Sequence, residues 1–287
     1  MKLKTRDGIP TEKPDGQSRF LKGLYGSLLG RMLLKPLVTP GVSRAAGKLL
    51  STKASCVLIK PFVRSTGIDM SQYVPQTYAS YNDFFIRRIR PELRPVEMNP
   101  RILISPCDSK LTVLPITPES RFTLKHTEYT LESMLRDPEL AGRYQGGYCL
   151  IFRLAVDDYH RFCYAADGEK GENVKIPGVF HTVNPIANDY FPIYKENSRE
   201  YTVLKNDVFG DILTMEVGAL MVGKIHNHHG PAIVKRGQEK GYFLFGGSTV
   251  VMLLQAGKAE IDGDILRNSA EGIETIVKFG EKIGQAK

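Results

Sequence analysis

Three short stretches of the sequence carry residue types that could act together in nucleophilic catalysis. The stretch "FGGST" contains Ser248, "SPCDSKL" contains Asp108, and "DDYHRFC" contains His160. A carboxylate, an imidazole and a hydroxyl can form a relay in which the imidazole takes the serine proton. Each residue also has an ordinary structural role open to it: a turn hydroxyl for Ser248, a satisfied strand-end histidine for His160, and a turn acceptor for Asp108.

Two glycines directly before Ser248 favour the chemical interpretation. Gly246 and Gly247 interrupt an otherwise strand-like apolar stretch, "GYFLFGGSTVVMLL". Glycine adopts backbone conformations that other residues avoid, and inside a strand it often marks a bend or a close approach. This freedom lets the Ser248 hydroxyl approach the carbonyl of Gly247. The pattern therefore favours a serine that attacks the peptide bond preceding it.

Together with "YNDFFIRR", these motifs resemble the phosphatidylserine decarboxylase family, and the similarity runs from about Tyr81 to the end of the chain. The resemblance implies a proenzyme that cleaves itself between Gly247 and Ser248, leaving a C-terminal chain of 40 residues. It also implies that Ser248 becomes a pyruvoyl cofactor, whose ketone accepts the amine of phosphatidylserine and withdraws electrons as CO2 departs. Phosphatidylethanolamine is the expected product.

The resemblance also assigns Asp108 and a histidine to the relay that activates Ser248. Many family members carry a second histidine three residues after the first, where this chain has Cys163. We therefore expect His160 to serve the relay or the protonation step, with His181 in "VFHTVN" as a candidate for the second imidazole. A thiol is only a weak proton donor, so we expect Cys163 to pack in the core.

Two other functions stay open at this point. One is a lipid-binding relative that does not process itself, with Cys163 as the sign of its divergence. The other is an Asp-His-Ser hydrolase that keeps Ser248 as an ordinary nucleophile. The hydrolase is disfavoured because the G-x-S-x-G motif requires glycine at position 250, where this chain has Val250.

We expect no metal site. The histidines of "KIHNHHG" have no carboxylate or cysteine at matching spacing, so a polar turn between strands is favoured for them: His226, His228 and His229. The four cysteines are scattered without a CxxC pair, which disfavours a zinc ribbon and a disulfide framework. The N-terminus lacks the apolar segment of a secretory signal, and no stretch is long and apolar enough to span a bilayer.

Short β-rich segments separated by turn residues dominate the chain beyond residue 100. The expected helical interruptions there are "DPELAGRY" and "SAEGIETIVKFGEK", and the stretch after Ser80 is typical of a capped short helix. This order predicts an α+β fold, with basic N-terminal helices followed by a mainly antiparallel β catalytic domain. The expected boundary separates residues 1–79 from residues 80–287.

The net charge of +8 is concentrated near the N-terminus, where residues 1–100 hold 17 Lys and Arg against seven Asp and Glu. Apolar residues there recur at three- and four-residue spacing, which predicts amphipathic helices. A basic amphipathic helix is typical of a surface that binds anionic membranes, where each cation contributes about 1 kcal/mol. The expected membrane-facing residues are Lys22, Arg31, Lys35, Arg44 and Lys48. The plainer alternative is a helical cap with solvated charges.

These features predict a peripheral membrane protein on the cytoplasmic face of the cell membrane, and the family resemblance implies phosphatidylserine as its substrate. The basic segment lacks a recognisable nucleic-acid-binding module, so we expect no nucleic-acid partner. The family resemblance implies that the β and α chains of one proenzyme stay together, and it leads us to expect a homodimer.

Overall fold

The computed structural model describes residues 2–11, 40–119, 121–124, 127–179, 196–218, 225–244 and 248–287. The strands in these residues are β1 (Leu3–Lys4), β2 (Pro10–Thr11), β3 (Ile102–Ile104), β4 (Ser109–Pro115), β5 (Arg121–Leu124), β6 (Thr127–Thr130), β7 (Tyr148–Leu154), β8 (Arg161–Cys163), β9 (Gly168–Lys170), β10 (Val174–Ile176), β11 (Arg199–Asn206), β12 (Gly210–Val217), β13 (Ile225–Asn227), β14 (Ala232–Val234), β15 (Glu239–Phe243), β16 (Ser248–Leu254), β17 (Ala259–Ile261), β18 (Glu274–Val277) and β19 (Lys282–Ala286).

The helices in the described residues are short, and three of the six lie before β4, the first long strand. They are α1 (Pro40–Leu50), α2 (Ile59–Thr66), α3 (Tyr81–Phe85), α4 (Leu131–Leu135), α5 (Pro138–Gly142) and α6 (Gly263–Ala270), with single 3-10 turns at Lys53–Leu58, Met70–Gln72 and Pro91–Leu93. Helices in the N-terminal part followed by many short strands confirm the predicted α+β class.

One large sheet forms the centre of the molecule, with the strand order β14-β9-β11-β12-β16-β7-β4-β18-β1-β2 and β10 paired to β11. Its pairings are antiparallel except that between β1 and β18. Strand β16 lies between β12 and β7, and all seven of its residues are buried. Val, Met and Leu suit a central strand that is covered on both faces.

A smaller sheet has the strand order β13-β15-β8. The candidate histidine, His160, directly precedes its strand β8. The apolar stretch that opened the question at Gly246 and Gly247 is two strands rather than one, because β15 ends at Phe243 and β16 begins at Ser248. The two strands belong to different sheets, so the chain changes sheets between Phe243 and Ser248.

The expected helix in "SAEGIETIVKFGEK" is wrong. Helix α6 ends at Ala270, and Gly272 follows with φ +68°, a left-handed conformation that favours glycine and ends the helix. The β-branched residues beyond it form β18, which pairs with β4. The helices expected at "DPELAGRY" and after Ser80 are confirmed as α5 and α3, and the Ser80 side chain accepts the Asp83 N–H as a cap.

Residues 40–66 of the basic segment are mostly helical, as predicted, whereas residues 2–11 contribute β1 and β2 to the large sheet. Pro40 begins α1, and Pro61 lies in the first turn of α2, where a missing N–H costs little. Phe62 of α2 packs edge-on against Tyr81 and Phe84 of α3. These contacts cross the expected boundary between residues 79 and 80, and that boundary stays a prediction.

A buried ion pair joins the two sheets. Lys240 Nζ of β15 lies 2.8 Å from Glu216 Oε1 of β12, with side chains only 1% and 0% exposed. Asn227 of β13 accepts from Lys240 and donates to Glu216 Oε2, so it hydrogen-bonds both members of the pair. Burial raises the pKa of Glu216, and the adjacent Lys240 opposes that rise. Removing one partner would leave an uncompensated buried charge.

We predict that Lys240→Met lowers the free energy of unfolding by about 3–5 kcal/mol, because Glu216 is left buried and unpaired. Replacing both partners, with Glu216→Leu and Lys240→Met, restores most of that loss because neither charge remains. The measurement is urea-induced unfolding of each variant. Glu271→Gln, which breaks the exposed Lys4–Glu271 pair, is the matched control and changes stability by less than about 1 kcal/mol. A single variant as stable as the control would contradict this account of the pair.

Candidate functional site

Ser248 is the first residue of β16 and is fully buried. Its backbone lies opposite Leu154, the last residue of β7. Its Oγ lies 3.2 Å from the Nδ1 atom of His160, so the hydroxyl and the imidazole are in hydrogen-bond contact. The structure thus brings together two of the three residues that the sequence singled out.

His160 stands just before β8, at the end of the loop that follows β7. Its Nε2 atom lies 2.9 Å from the carbonyl oxygen of Ala155. A carbonyl only accepts, so Nε2 carries the proton, and Nδ1 is left free to accept the Ser248 hydroxyl proton. The ring packs against Phe85 with centroids 4.2 Å apart, and the His160 carbonyl accepts the N–H of Phe243.

The loop that supplies the Ala155 carbonyl is held from two sides. The Asp158 carboxylate accepts the Ala155 N–H at 2.6 Å and forms an ion pair with Lys110 of β4. The Arg87 guanidinium donates to the carbonyl oxygens of Asp157 and Asp158, at 3.3 Å and 3.4 Å. Hydrogen bonds at both ends hold this loop, and with it the hydrogen bond that sets the His160 tautomer.

Burial lowers the pKa of His160 to about 3, with the positive charges of Arg87 and Lys110 acting in the same direction. The hydrogen bond to Ala155 and the charge of Asp157 oppose this shift. His160 is therefore neutral at physiological pH. A neutral imidazole with a free Nδ1 lone pair is the form that can accept a proton from a serine.

Asp108 does not touch the His160 ring, whose two nitrogens contact Ser248 and Ala155. Its carboxylate forms a two-pronged pair with Arg94, at 2.8 Å and 2.6 Å, and accepts the N–H of Phe279 at 2.8 Å. In the observed arrangement the Ala155 carbonyl, and not the expected Asp108 carboxylate, accepts the hydrogen bond from His160.

Asp108 instead lines a polar cavity of about 270 Å³ beside the His160 loop. Asp157, Asp158 and Tyr159, the three residues before His160, contribute to the same wall. Lys278 contributes a cation from the C-terminal part of the chain. The cavity thus adjoins the backbone of the residues that position His160.

Several predicted site residues lie outside the described residues: His181, Gly247, Lys22, Arg31 and Lys35. Lys48 is exposed in the last turn of α1, to which Arg44 also belongs. Cys163 is buried in the main core, and its burial raises the pKa of the thiol. That burial matches the packing role expected for it.

The histidines of "KIHNHHG" have partners of their own. His226 stacks on Tyr242, and His228 Nε2 lies 2.7 Å from a carboxylate oxygen of Glu239. The Tyr164 hydroxyl lies 3.3 Å from His229 Nδ1. Among the residues that the structure describes, no three His, Cys, Asp or Glu side chains are grouped so that they could hold a metal ion.

Sequence reasoning missed three contributors to the site: Ala155, Arg87 and Asp158. A backbone carbonyl leaves no mark in the residue types, so the role of Ala155 had no signal. Arg87 lies in the motif "YNDFFIRR", which carried the family resemblance without any assigned role. Asp158 stands two residues before His160, and that proximity was the available clue.

Known proteins resemble this chain over nearly its whole length. A family model described as phosphatidylserine decarboxylase matches residues 81–285. A phosphatidylserine decarboxylase proenzyme 2 of Clostridium acetobutylicum is 46% identical over 266 residues, covering 92% of this chain and 91% of the relative. A phosphatidylserine decarboxylase proenzyme of Fusobacterium nucleatum is 41% identical over 285 residues, covering 97% and 95%.

We predict that folding becomes acid-sensitive because of His160. Its pKa is about 3 in the native chain and about 6.5 when unfolded, so the unfolded state binds more protons between these values. Stability from this group is full above about pH 6.5 and falls as the pH drops, by about 2 kcal/mol at pH 5.

The measurement compares urea unfolding at pH 7.5 and pH 5 for two chains that both carry Ser248→Ala, one with His160 and one with His160→Gln. Glutamine can still donate to the Ala155 carbonyl but does not titrate. The chain with His160→Gln should lose about 2 kcal/mol less on acidification. Equal losses in the two chains would contradict the assignment of a neutral, buried His160.

Proposed function

The chain belongs to the phosphatidylserine decarboxylase family, and we propose that it is a self-cleaving enzyme that converts phosphatidylserine to phosphatidylethanolamine at a membrane surface. The observation that carries this proposal is the contact between Ser248 Oγ and His160 Nδ1 in a buried site. It supplies the proton acceptor that a serine needs to attack its own preceding peptide bond.

The first proposed step is an acyl shift. His160 Nδ1 accepts the Ser248 hydroxyl proton while Oγ attacks the Gly247 carbonyl carbon. The Gly247–Ser248 C–N bond then breaks, and the proton passes to the nitrogen, so an ester replaces the amide. Loss of the Ser248 Cα proton breaks the ester C–O bond and releases residues 1–247 with a free carboxylate. Hydrolysis of the remaining unsaturated residue yields ammonia and a pyruvoyl group on residues 248–287.

The residues around Ser248 fit a pyruvoyl group. The position is buried at the start of a central strand, and an imidazole faces it. When formed, the group supplies a carbonyl that takes up the electron pair left as CO2 departs from the substrate. His160 can hold or return a proton at the former Oγ position, and the pairing of β16 with β12 and β7 holds the backbone.

Roles for the other predicted residues follow from their places. We propose that Asp108 acts indirectly, by holding Arg94 and the Phe279 N–H at the cavity beside the His160 loop. The raised pKa of the buried Cys163 thiol makes it a poor proton donor at neutral pH. His181 remains our proposal for the second imidazole, on the strength of the family resemblance.

The two chains of the proposed enzyme would stay together after cleavage, as the β and α chains of one proenzyme. Strand β16 would belong to the short chain, yet it lies between β12 and β7 of the long one. At the other end of the sheet β18 pairs with β4, and Arg6 contacts Asp262 and Asp264. A homodimer of such units is our expectation from the family.

We place the membrane-facing surface on the described N-terminal helices. Three large apolar side chains there are exposed, with exposed fractions of 67% for Leu49, 73% for Val57 and 46% for Leu58. Lys48, Lys53 and Lys60 are exposed beside them. Apolar side chains ringed by lysines suit the interface of an anionic leaflet. In the described residues no helix is long and apolar enough to cross a membrane, so we propose peripheral attachment at the cytoplasmic face.

We predict that His160→Gln slows self-cleavage by at least about 100-fold, because the proton acceptor for Ser248 is lost. The measurement follows the conversion of the full-length chain to two fragments on a denaturing gel, in a cell-free synthesis time course. His228→Gln is the control, since His228 pairs with Glu239 and not with Ser248. Equal rates for the His160 variant and wild type would contradict the proposed role.

We predict that Val57→Asp combined with Leu58→Asp weakens binding to vesicles of phosphatidylserine and phosphatidylcholine by at least about 100-fold. Each apolar side chain gains roughly 1.5–3 kcal/mol on leaving water. The measurement is co-sedimentation with the vesicles. Ile233→Asp is the control, because Ile233 is 73% exposed on β14, away from the basic helices. Equal weakening by the control would show that the loss is not specific to this surface.

A further inference from the structure

Arg87 is a fully buried cation without a carboxylate partner in the part of the chain that the structure describes. It follows α3, two residues after Phe85. Its guanidinium lies over the Tyr73 ring, 4.4 Å from the centroid, and 5.0 Å from that of Phe84. Its Nε atom is buried without a hydrogen-bond partner.

A buried guanidinium in such surroundings is costly. Burying a charge without a counter-charge disfavours the folded state, and an apolar side chain of similar size would fill the same space more cheaply. The aromatic rings recover part of that cost. The other contacts of the Arg87 guanidinium are hydrogen bonds to neutral oxygens. The residues that supply these oxygens indicate the structural role of Arg87.

Those hydrogen bonds converge on the loop before His160. Arg87 Nη2 shares its two hydrogens among the Tyr73 hydroxyl at 3.2 Å and the carbonyl oxygens of Asp157 at 3.3 Å and Asp158 at 3.4 Å, while Nη1 donates to the Phe85 carbonyl at 3.4 Å. A single planar group therefore holds two successive peptide units. Ala155, in the same loop, accepts the proton of His160 Nε2. The position of the Ala155 carbonyl oxygen therefore depends on the contacts that Arg87 makes with this loop.

We propose that Arg87 is a positioning residue for His160: it fixes the loop of residues 155–158 so that the Ala155 carbonyl meets Nε2 and leaves Nδ1 free to accept the Ser248 proton. This inference rests on the proposed self-cleavage for its kinetic consequence. The tautomer itself is a property of the folded chain and exists whether or not cleavage occurs.

Arg87 also sets the charge around the imidazole. The groups that face His160 are Phe85 from α3, Ser248 from β16, and the loop with Ala155 and Asp157; Lys110 from β4 adds a second cation. Lys110 is neutralised by its ion pair with Asp158, whereas Arg87 has no such partner. The unpaired cation adds to burial in disfavouring an imidazolium, so it helps to keep His160 in the neutral form that accepts a proton. Two variants, Arg87→Met and Arg87→Lys, distinguish the effect of Arg87 on the position of the loop from the effect of its charge on His160.

The test follows self-cleavage of the full chain in cell-free synthesis between pH 5 and pH 8. Arg87→Met removes both effects. We expect cleavage at least about 10-fold slower at pH 7.5 and a further fall in rate as the pH drops toward 5, because His160 becomes easier to protonate. Arg87→Lys keeps the charge but loses the planar fork. It should cleave slowly with a pH profile like that of wild type.

Arg88→Met is the matched control. It removes the same charge from the next residue of the chain, whose side chain is exposed. It should keep the wild-type rate and profile. Thermal melting of each variant with Ser248→Ala checks folding. If Arg87→Met does not fold, Arg87→Lys decides the question, since a wild-type rate in that variant overturns the inference. A folded Arg87→Met with the rate and profile of wild type overturns it equally.

A second readout does not require cleavage. Nitrogen-15 NMR of the chain with Ser248→Ala should show His160 protonated at Nε2, and adding Arg87→Met should give a mixture of both tautomers. His160→Gln identifies the signal. Wild type and Arg88→Met that both stay uncut would defeat the proposed self-cleavage, whereas normal cleavage together with an unchanged tautomer in Arg87→Met would defeat this inference alone.

Discussion

The hydrogen bond between Ser248 Oγ and His160 Nδ1 joins two separate sheets at a buried point. Ser248 begins a central strand of the large sheet, and His160 stands just before an edge strand of the small one. The contact therefore requires the two sheets to lie at a fixed separation. The Lys240–Glu216 pair spans the same two sheets, and the Phe243 N–H ties the His160 backbone to β15.

The chemistry of this contact depends on which nitrogen of His160 carries the proton. In a serine relay a carboxylate usually makes that choice, but here the Ala155 carbonyl makes it. A carbonyl fixes the tautomer without a negative charge, so it stabilises an imidazolium less than a carboxylate would. A weak, neutral base would suit the proposed self-cleavage, because each chain would be cleaved only once and a slow cleavage step would not limit later catalysis. Asp108 instead pairs with Arg94, while Asp158 pairs with Lys110 and accepts the Ala155 N–H.

The sequence was informative where side-chain chemistry and short-range pattern coincide. The α+β class, β16 and the choice of Ser248 and His160 follow from β-branched stretches, turn residues and motifs. The strand at Glu274–Val277 was missed because its apolar spacing also fits a helix, and pairing with β4 decides between them. The Ala155 carbonyl has no residue signature. In the sequence, Arg87 belongs to an arginine-rich stretch that is typical of a solvent-exposed surface. Only the folded structure shows that its side chain is buried and contacts the loop before His160.

Mass spectrometry of the C-terminal fragment tests the central claim most directly. The account predicts that freshly folded wild-type chain yields residues 248–287 as a fragment lighter by one ammonia than the same 40 residues beginning with serine. That mass requires a ketone where the Ser248 amine would stand. A chain that folds but stays whole, or a fragment with an intact N-terminal serine, would contradict the account.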